Sequence, residues 1–307
     1  MNIYIYININ MNENNNIFGF DNINNINNNN NDDDKYHPVQ MIHGIDATDA
    51  NVNPRDENFI YLLKSTCCRF LEMKSVIFIV TIIDVVLYFI TICYGIEKDP
   101  TQLLAPQYST LDAFGMKINN KIYNGQIWRW FTFGLLHANL MHLMVNVISQ
   151  LIIGSLIETA IGHKNVLILY ICSSIGGGIF SSAINNASGV GASVAIFGLV
   201  AAYFGYMIVN WYYLDEIQGS TNKYCNLMIM IVFVLINISY GFTNERIDNY
   251  GHIGGLIFGF FLSLVLITPF NKNDGLYYKT YIWLKIGVVA LCVLYIGCIC
   301  LFYTTNV

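Results

Sequence analysis

The stretch VGASVAIFGLVAAYFGYMIVN, residues 190–210, is apolar enough to lie in a bilayer, yet Ser193 stands at the head of its hydrophobic run, directly after Gly191 and Ala192. A helix needs about 20 mostly apolar residues to cross the hydrocarbon core, and this run has that length. Small residues in front of a serine clear space around its hydroxyl. Taken alone, such a serine is most simply a helix-packing group. Its meaning depends on what the rest of the chain brings near it.

The chain around it has 307 residues, 55% hydrophobic and 11% charged, with mean hydropathy +0.47. A soluble domain carries about 25% charged residues, so composition already places this chain in a membrane. The net charge of −5 comes largely from the N-terminal third, and no basic tract calls for nucleic acid. Further apolar runs predict spans near 75–96, 138–158, 165–184, 192–211, 226–241, 250–268 and 282–303, with a long polar loop over 97–137. The alternating pattern of a membrane barrel is absent. The expected fold is therefore all-α and polytopic, six helices plus one.

Three regions follow from this pattern. Residues 1–70 form a low-complexity tail in which asparagine fills 15 of the first 31 positions, a composition that buries too little apolar surface to order itself. It lacks a basic stretch leading into an apolar one, so it does not read as a cleaved signal peptide, and the first span is expected to act as signal anchor. Residues 71–270 carry the six-helix core, and 271–307 the extra C-terminal span. Cys93, Cys172, Cys292, Cys298 and Cys300 lie in hydrophobic runs and are expected to be reduced and packed. Cys67 and Cys68, just before the first span, sit where reversible palmitoylation occurs. Lys64, Arg69 and Lys74 before span one, with Lys272 and Lys279 between spans six and seven, favour a cytosolic N-terminus, against Lys98, Lys117, Lys121, Arg129 and Arg246 on the other side.

With that orientation, spans four and six both begin on the non-cytosolic side. Ser193 starts the first, and His252, in DNYGHIGGLIFGF (248–260), starts the second. Gly251, Gly255 and Gly259 recur every four residues on one face of span six, the kind of small-residue face that lets helices approach closely. Gly198, Ala201, Ala202 and Gly205 offer the matching face on span four. Contact between them carries His252 towards Ser193. A serine hydroxyl becomes a strong nucleophile once an imidazole accepts its proton, and the developing oxyanion then needs donors. WRWFTFGLLHANLMHLMVN (128–146) supplies them: His142 and Asn146 are four apart on one face of span two, with His137 just before.

This set resembles the rhomboid intramembrane serine proteases. The matching elements are Trp128 and Arg129; His137, His142 and Asn146, followed by Glu158 and Gly162; Gly191, Ala192 and Ser193; and Asn249, His252, Gly254 and Gly255. The resemblance covers about residues 75–270. It implies a rhomboid-type bundle in which Ser193 is the nucleophile and His252 the general base, with His142 and Asn146 as oxyanion donors. It implies that Phe197 stacks on the catalytic imidazole and that Trp128 and Arg129 prop the bundle from an interfacial loop. His137, Asn249 and Gly191 are implied as supporting positions. The seventh span resembles the eukaryotic six-plus-one form, which includes enzymes that shed parasite surface adhesins. The implied substrates are single-pass transmembrane proteins met in the bilayer, in the plasma membrane or a secretory-pathway organelle. No cofactor is implied, and no Cys/His spacing suggests a metal.

One departure stands out: the family's Gly-x-Ser-Gly ends here in Val194, a β-branched residue expected to crowd the nucleophile. Val194 is the one feature that favours a silent rhomboid-like protein which binds and escorts membrane clients. Asp248, one turn before His252, reads as a helix cap rather than a third catalytic member. Asp84, deep in span one, is expected to hydrogen-bond a neighbouring helix, although ionisable groups at that depth are functional by default. Sequence leaves the oligomeric state open.

Overall fold

A computed structural model of the protein describes residues 75–98, 103–218, 220–243, 247–268 and 276–305. The asparagine-rich tail, Cys67 and Cys68 lie outside the described residues. The elements run in order α1 (Val76–Tyr94), α2 (Tyr108–Phe114), α3 (Asn119–Tyr123), α4 (Arg129–Thr132), α5 (Leu140–Ser149), α6 (Ser155–Ile161), α7 (His163–Ile184), α8 (Ser193–Gln218), α9 (Ser220–Thr243), α10 (Asn249–Leu266) and α11 (Leu276–Thr305). Among the described residues there is no strand, only two isolated bridges, Ile96 with Pro106 and Lys117 with Gly189. The all-α membrane class is as the sequence implies.

Among the described residues, six helical stretches are long and apolar enough to cross a bilayer: Val76–Tyr94, Leu140–Ile161, His163–Ile184, Ser193–Trp211, Asn249–Leu266 and Tyr281–Thr305. The fifth expected span lies in α9, whose apolar run, Lys223–Ser239, is shorter than those six. The second span is not one regular helix. A π-helical turn, Gln150–Gly154, joins α5 to α6. Such turns are rare and often sit at functional positions. Here the turn holds Gln150 inward, where its side-chain NH2 donates to Thr81 Oγ1 (2.9 Å) and Asp84 Oδ2 (3.3 Å), and its Oε1 accepts from the Tyr170 hydroxyl (3.0 Å). Asp84 thus finds the neighbouring-helix partner expected of it.

The centre of the bundle is α8, packed against α7 and α10. Most of α8 is buried, as Ala195, Ile196, Leu199, Val200 and Ala202 illustrate. At the glycines its contact with α10 is backbone to backbone. A Cβ at Gly255 would collide with the Val194 carbonyl oxygen, and one at Gly259 would lie 2.5 Å from Gly198 Cα. The two small-residue faces therefore meet as their four-residue period predicts. A non-helical Asn210 (φ −110°, ψ 15°) bends α8 near the end of its span.

Two further contacts close the frame. Glu158 at the end of the second span accepts from the Ser75 hydroxyl and from the Val76 (2.6 Å) and Ile77 (3.2 Å) amides, satisfying donors at the start of α1. The C-terminal helix α11 lies on α7 and α10: the Tyr295 hydroxyl donates to the Cys172 carbonyl (2.7 Å), and Phe302 is fully buried against Ile122, Trp130, Ile179 and Ala183. The cysteines depart from expectation. Cys93, Cys292 and Cys300 are exposed on outer helix faces, and only Cys172 and Cys298 are partly packed. In a bilayer that outer face is lipid, so an apolar run leaves thiols outward at little cost.

Candidate active site

The site is built where α5, α8 and α10 begin. The backbone enters α8 through Gly191 at φ +133°, a conformation that L side chains rarely adopt. A Cβ there would sit 2.9 Å from His142 Nε2 and 3.5 Å from Ser193 Oγ, so glycine is required by both conformation and space. The same numbers put the imidazole of α5 and the hydroxyl of α8 on two sides of one small gap. The Gly191 amide donates to the Phe133 carbonyl (3.0 Å), which fixes the approach.

Ser193 Oγ lies 2.7 Å from His252 Nε2. His252 is buried, and its ring stacks on Phe197 with centroids 4.4 Å apart and planes 9° from parallel. Among the described residues His252 Nδ1 makes no hydrogen bond. Asp248 therefore does not complete a triad; its carboxylate accepts the Gly251 amide (2.9 Å) as the N-cap of α10. A neutral imidazole with its proton on Nδ1 presents Nε2 as the acceptor for the serine hydroxyl, which is the pairing a nucleophilic serine needs.

His142 and Asn146 lie one turn apart on α5, which Asn139 caps by accepting the His142 amide (2.8 Å). The Ala138 amide donates to His142 Nδ1 (3.3 Å), so the ring proton sits on Nε2, the nitrogen nearest Gly191. That tautomer makes His142 a donor towards the Ser193 side. Asn146 is buried and spends one side-chain N–H on the His142 carbonyl (2.8 Å), keeping the other. His137 is fully buried with its ring edge-on to His142, centroids 5.4 Å apart, and burial, with a smaller effect of His142, pushes its pKa down to about 3. It is a neutral packing support.

The remaining positions spread further out. The Asn249 side chain donates to the Ile238 carbonyl (3.0 Å), tying α10 to α9. Arg129 is buried and donates to Gln126 Oε1 (2.7 Å), the Met116 carbonyl (2.6 Å) and Asp112 (3.0 Å), organising the 97–137 loop. Asp112, hydrogen-bonded by Lys121 and facing Arg129, is held below the usual carboxylate range. Trp128 is 55% exposed; the indole that packs is Trp130, which donates to Ser182 Oγ (3.1 Å) and meets Phe302 edge-on. Of the Trp-Arg pair, the side chain with hydrogen bonds into the loop is Arg129. Trp130 was legible only as the third residue of an aromatic Trp-Arg-Trp run.

Val194 does not crowd the nucleophile. It is 2% exposed, and its methyls fill the space beside Gly177, Gly251 and Gly255, between α7 and α10. Successive helical residues point about 100° apart, so the side chain after Ser193 turns away from the gap. A Cβ at Gly251 would stand 3.1 Å from Val194 Cγ2, so a glycine there leaves room for the valine. Val194→Gly is accordingly expected to lower thermal stability by about 3 kcal/mol, roughly 2 for the emptied pocket and about 1 for glycine in a helix. Turnover should not rise. Melting curves and assays on substrates with bulky residues beside the scissile bond check this; faster cleavage by the variant would restore the crowding view.

Residues 124–269 match the Rhomboid domain family. The chain is 30% identical over 223 residues to Rhomboid-like protease 1 of Toxoplasma gondii, covering 70% of this chain and 73% of that protein. It is 34% identical over 180 residues to RHOMBOID-like protein 1 of Arabidopsis thaliana, covering 56% of this chain and 44% of that protein. It is also 36% identical over 160 residues to Rhomboid protease GluP of Bacillus subtilis (strain 168), covering 52% and 30%. Against the plant relatives the match spans about half of their length.

Proposed function

The chain belongs to the rhomboid family, and we propose that it is an intramembrane serine endopeptidase acting through Ser193 and His252. Its apolar helices make it a multi-pass integral membrane protein. The observation that carries the enzymatic reading is the 2.7 Å approach of Ser193 Oγ to an imidazole clamped by Phe197, with a second imidazole donor across Gly191.

In the proposed reaction Ser193 Oγ attacks the scissile carbonyl carbon and its proton passes to His252 Nε2. The carbonyl oxygen becomes an oxyanion that receives hydrogen bonds from His142 Nε2 and the spare N–H of Asn146. As the C–N bond breaks, His252 returns its proton to the leaving amine. Water, deprotonated by His252, then releases the acyl group and restores Ser193. The core that does this is residues 71–270, with 271–307 as the extra helix buttressing α7 and α10. The N-terminus is assigned to the cytosol, in the plasma membrane or a secretory organelle.

A substrate reaching this site from the bilayer comes as a helix, whose carbonyls are tied up in hydrogen bonds. Single-pass proteins, surface adhesins among them, should therefore be cut where Ala, Gly or Ser weaken the helix near its non-cytosolic end. Leucine at those positions is expected to slow cleavage several-fold. The test is a serine-directed fluorophosphonate together with such a substrate in liposomes. Labelling of wild type and its loss in Ser193→Ala support the protease. Client binding without labelling or cleavage would favour the escort reading, whose one support, Val194, is buried away from the nucleophile.

A further inference from the structure

Lys117, in the loop between α2 and α3, is fully buried, and its ammonium pairs with Asp248 Oδ2 at 2.7 Å. It also donates to the Ser181 hydroxyl, which donates in turn to Asp248 Oδ1 (2.6 Å). The same Oδ1 accepts the Gly251 amide, one residue before His252. The backbone of Lys117 makes a second attachment. Its amide donates to the Gly189 carbonyl (3.0 Å) and its carbonyl accepts the Gly189 amide (3.2 Å), four residues before Ser193. One residue therefore grips the start of the His252 helix with its side chain and the approach to Ser193 with its main chain.

A buried ion pair is weak evidence of stabilisation, since desolving two charges costs about what their attraction returns. Its better-attested use is to fix register. Register is weakly held by the α8–α10 contact: glycine faces meeting backbone offer few knobs against sliding beyond Val194, Ser263 beside Gly205 and the Phe197–His252 stack. Yet proton transfer needs the two groups within about 2.6–3.2 Å, and a misplacement of 1 Å costs about 10²-fold in rate.

We propose that the buried Lys117–Asp248 ion pair is a positioning device for the reaction centre, setting the approach of Ser193 to His252 from outside the dyad. The proposal rests on the Ser193–His252 reading above. Asp248→Asn keeps the helix cap while removing the carboxylate charge that faces the Lys117 ammonium. The double variant Lys117→Met/Asp248→Asn removes both charges of the pair.

Full-length wild type and these variants are compared in liposomes for melting, for Ser193 labelling by a fluorophosphonate, and for kcat and KM on one transmembrane substrate. The double variant is expected to melt near wild type with KM within about twofold, while labelling and kcat fall about 10–100-fold. Recovery of labelling together with melting would reduce the pair to a structural role and overturn the proposal. Should the double variant not fold, Asp248→Asn decides alone: slowed labelling at unchanged melting supports the device, and wild-type labelling overturns it. A wild type that is itself unlabelled overturns the dyad reading, and this proposal with it, before any variant is read.

Discussion

Alanine at Ser193 is expected to lower turnover by roughly 10⁴–10⁶, and alanine at His252 by a similar factor, while the double change costs little more than either. The reason lies in the 2.7 Å contact between them. The hydroxyl attacks only as its proton leaves, and the imidazole is the group placed to take it, so the two make one device. Neither change should unfold the bundle. Ser193 is the first residue of α8 and its side chain's recorded bond is to the imidazole; His252 would leave a pocket against Phe197. His252→Ala is thus the more destabilising of the two, by about 1–3 kcal/mol. Turnover of a transmembrane substrate in liposomes, with melting measured in parallel, checks both. Additive losses, or substantial activity in either variant at wild-type folding, would sink the dyad.

The frame of this site was readable in the sequence because it rests on local periodicity. A run of about 20 apolar residues gives a span, and glycines every four residues on α10 give a face that must meet another helix. The cap at Asp248 was legible for the same reason, since caps depend on residues three apart. The stack of Phe197 on the imidazole is different: it was implied by the resemblance to the rhomboid proteases, not by spacing. What stayed hidden depends on partners distant in the chain. Lys117 reads as one more loop cation, and nothing near it announces a carboxylate 131 residues away. Val194 misled for a related reason: adjacency in sequence was read as adjacency in space, although a helix turns the next side chain aside. The shorter apolar run of α9 and the π-helical turn at Gln150 are likewise set by packing against neighbours.

The oxyanion donors make the second large prediction, and they separate binding from chemistry. Asn146→Ala and His142→Ala should each lower kcat by about 10²–10³, some 2.7–4 kcal/mol of transition-state stabilisation, with KM little changed. The effect falls on kcat because the planar carbonyl of a bound substrate asks little of these groups. Only the tetrahedral oxyanion carries the charge that their N–H groups stabilise. Asn146→Ala is the cleaner change. Its recorded side-chain bond is to the His142 carbonyl on its own helix, so melting should barely move. His142→Ala also strands the Ala138 amide and opens space beside His137, so part of its loss will be structural. A fluorophosphonate is intrinsically more electrophilic than an amide and needs less help from the hole. Its labelling of Ser193 should therefore slow less than peptide cleavage does in the same variants. Normal kcat in both would mean that α5 does not supply the hole. The donors would then have to be backbone amides in the first turn of α8, whose N–H groups have no partner within the helix and lie beside the nucleophile.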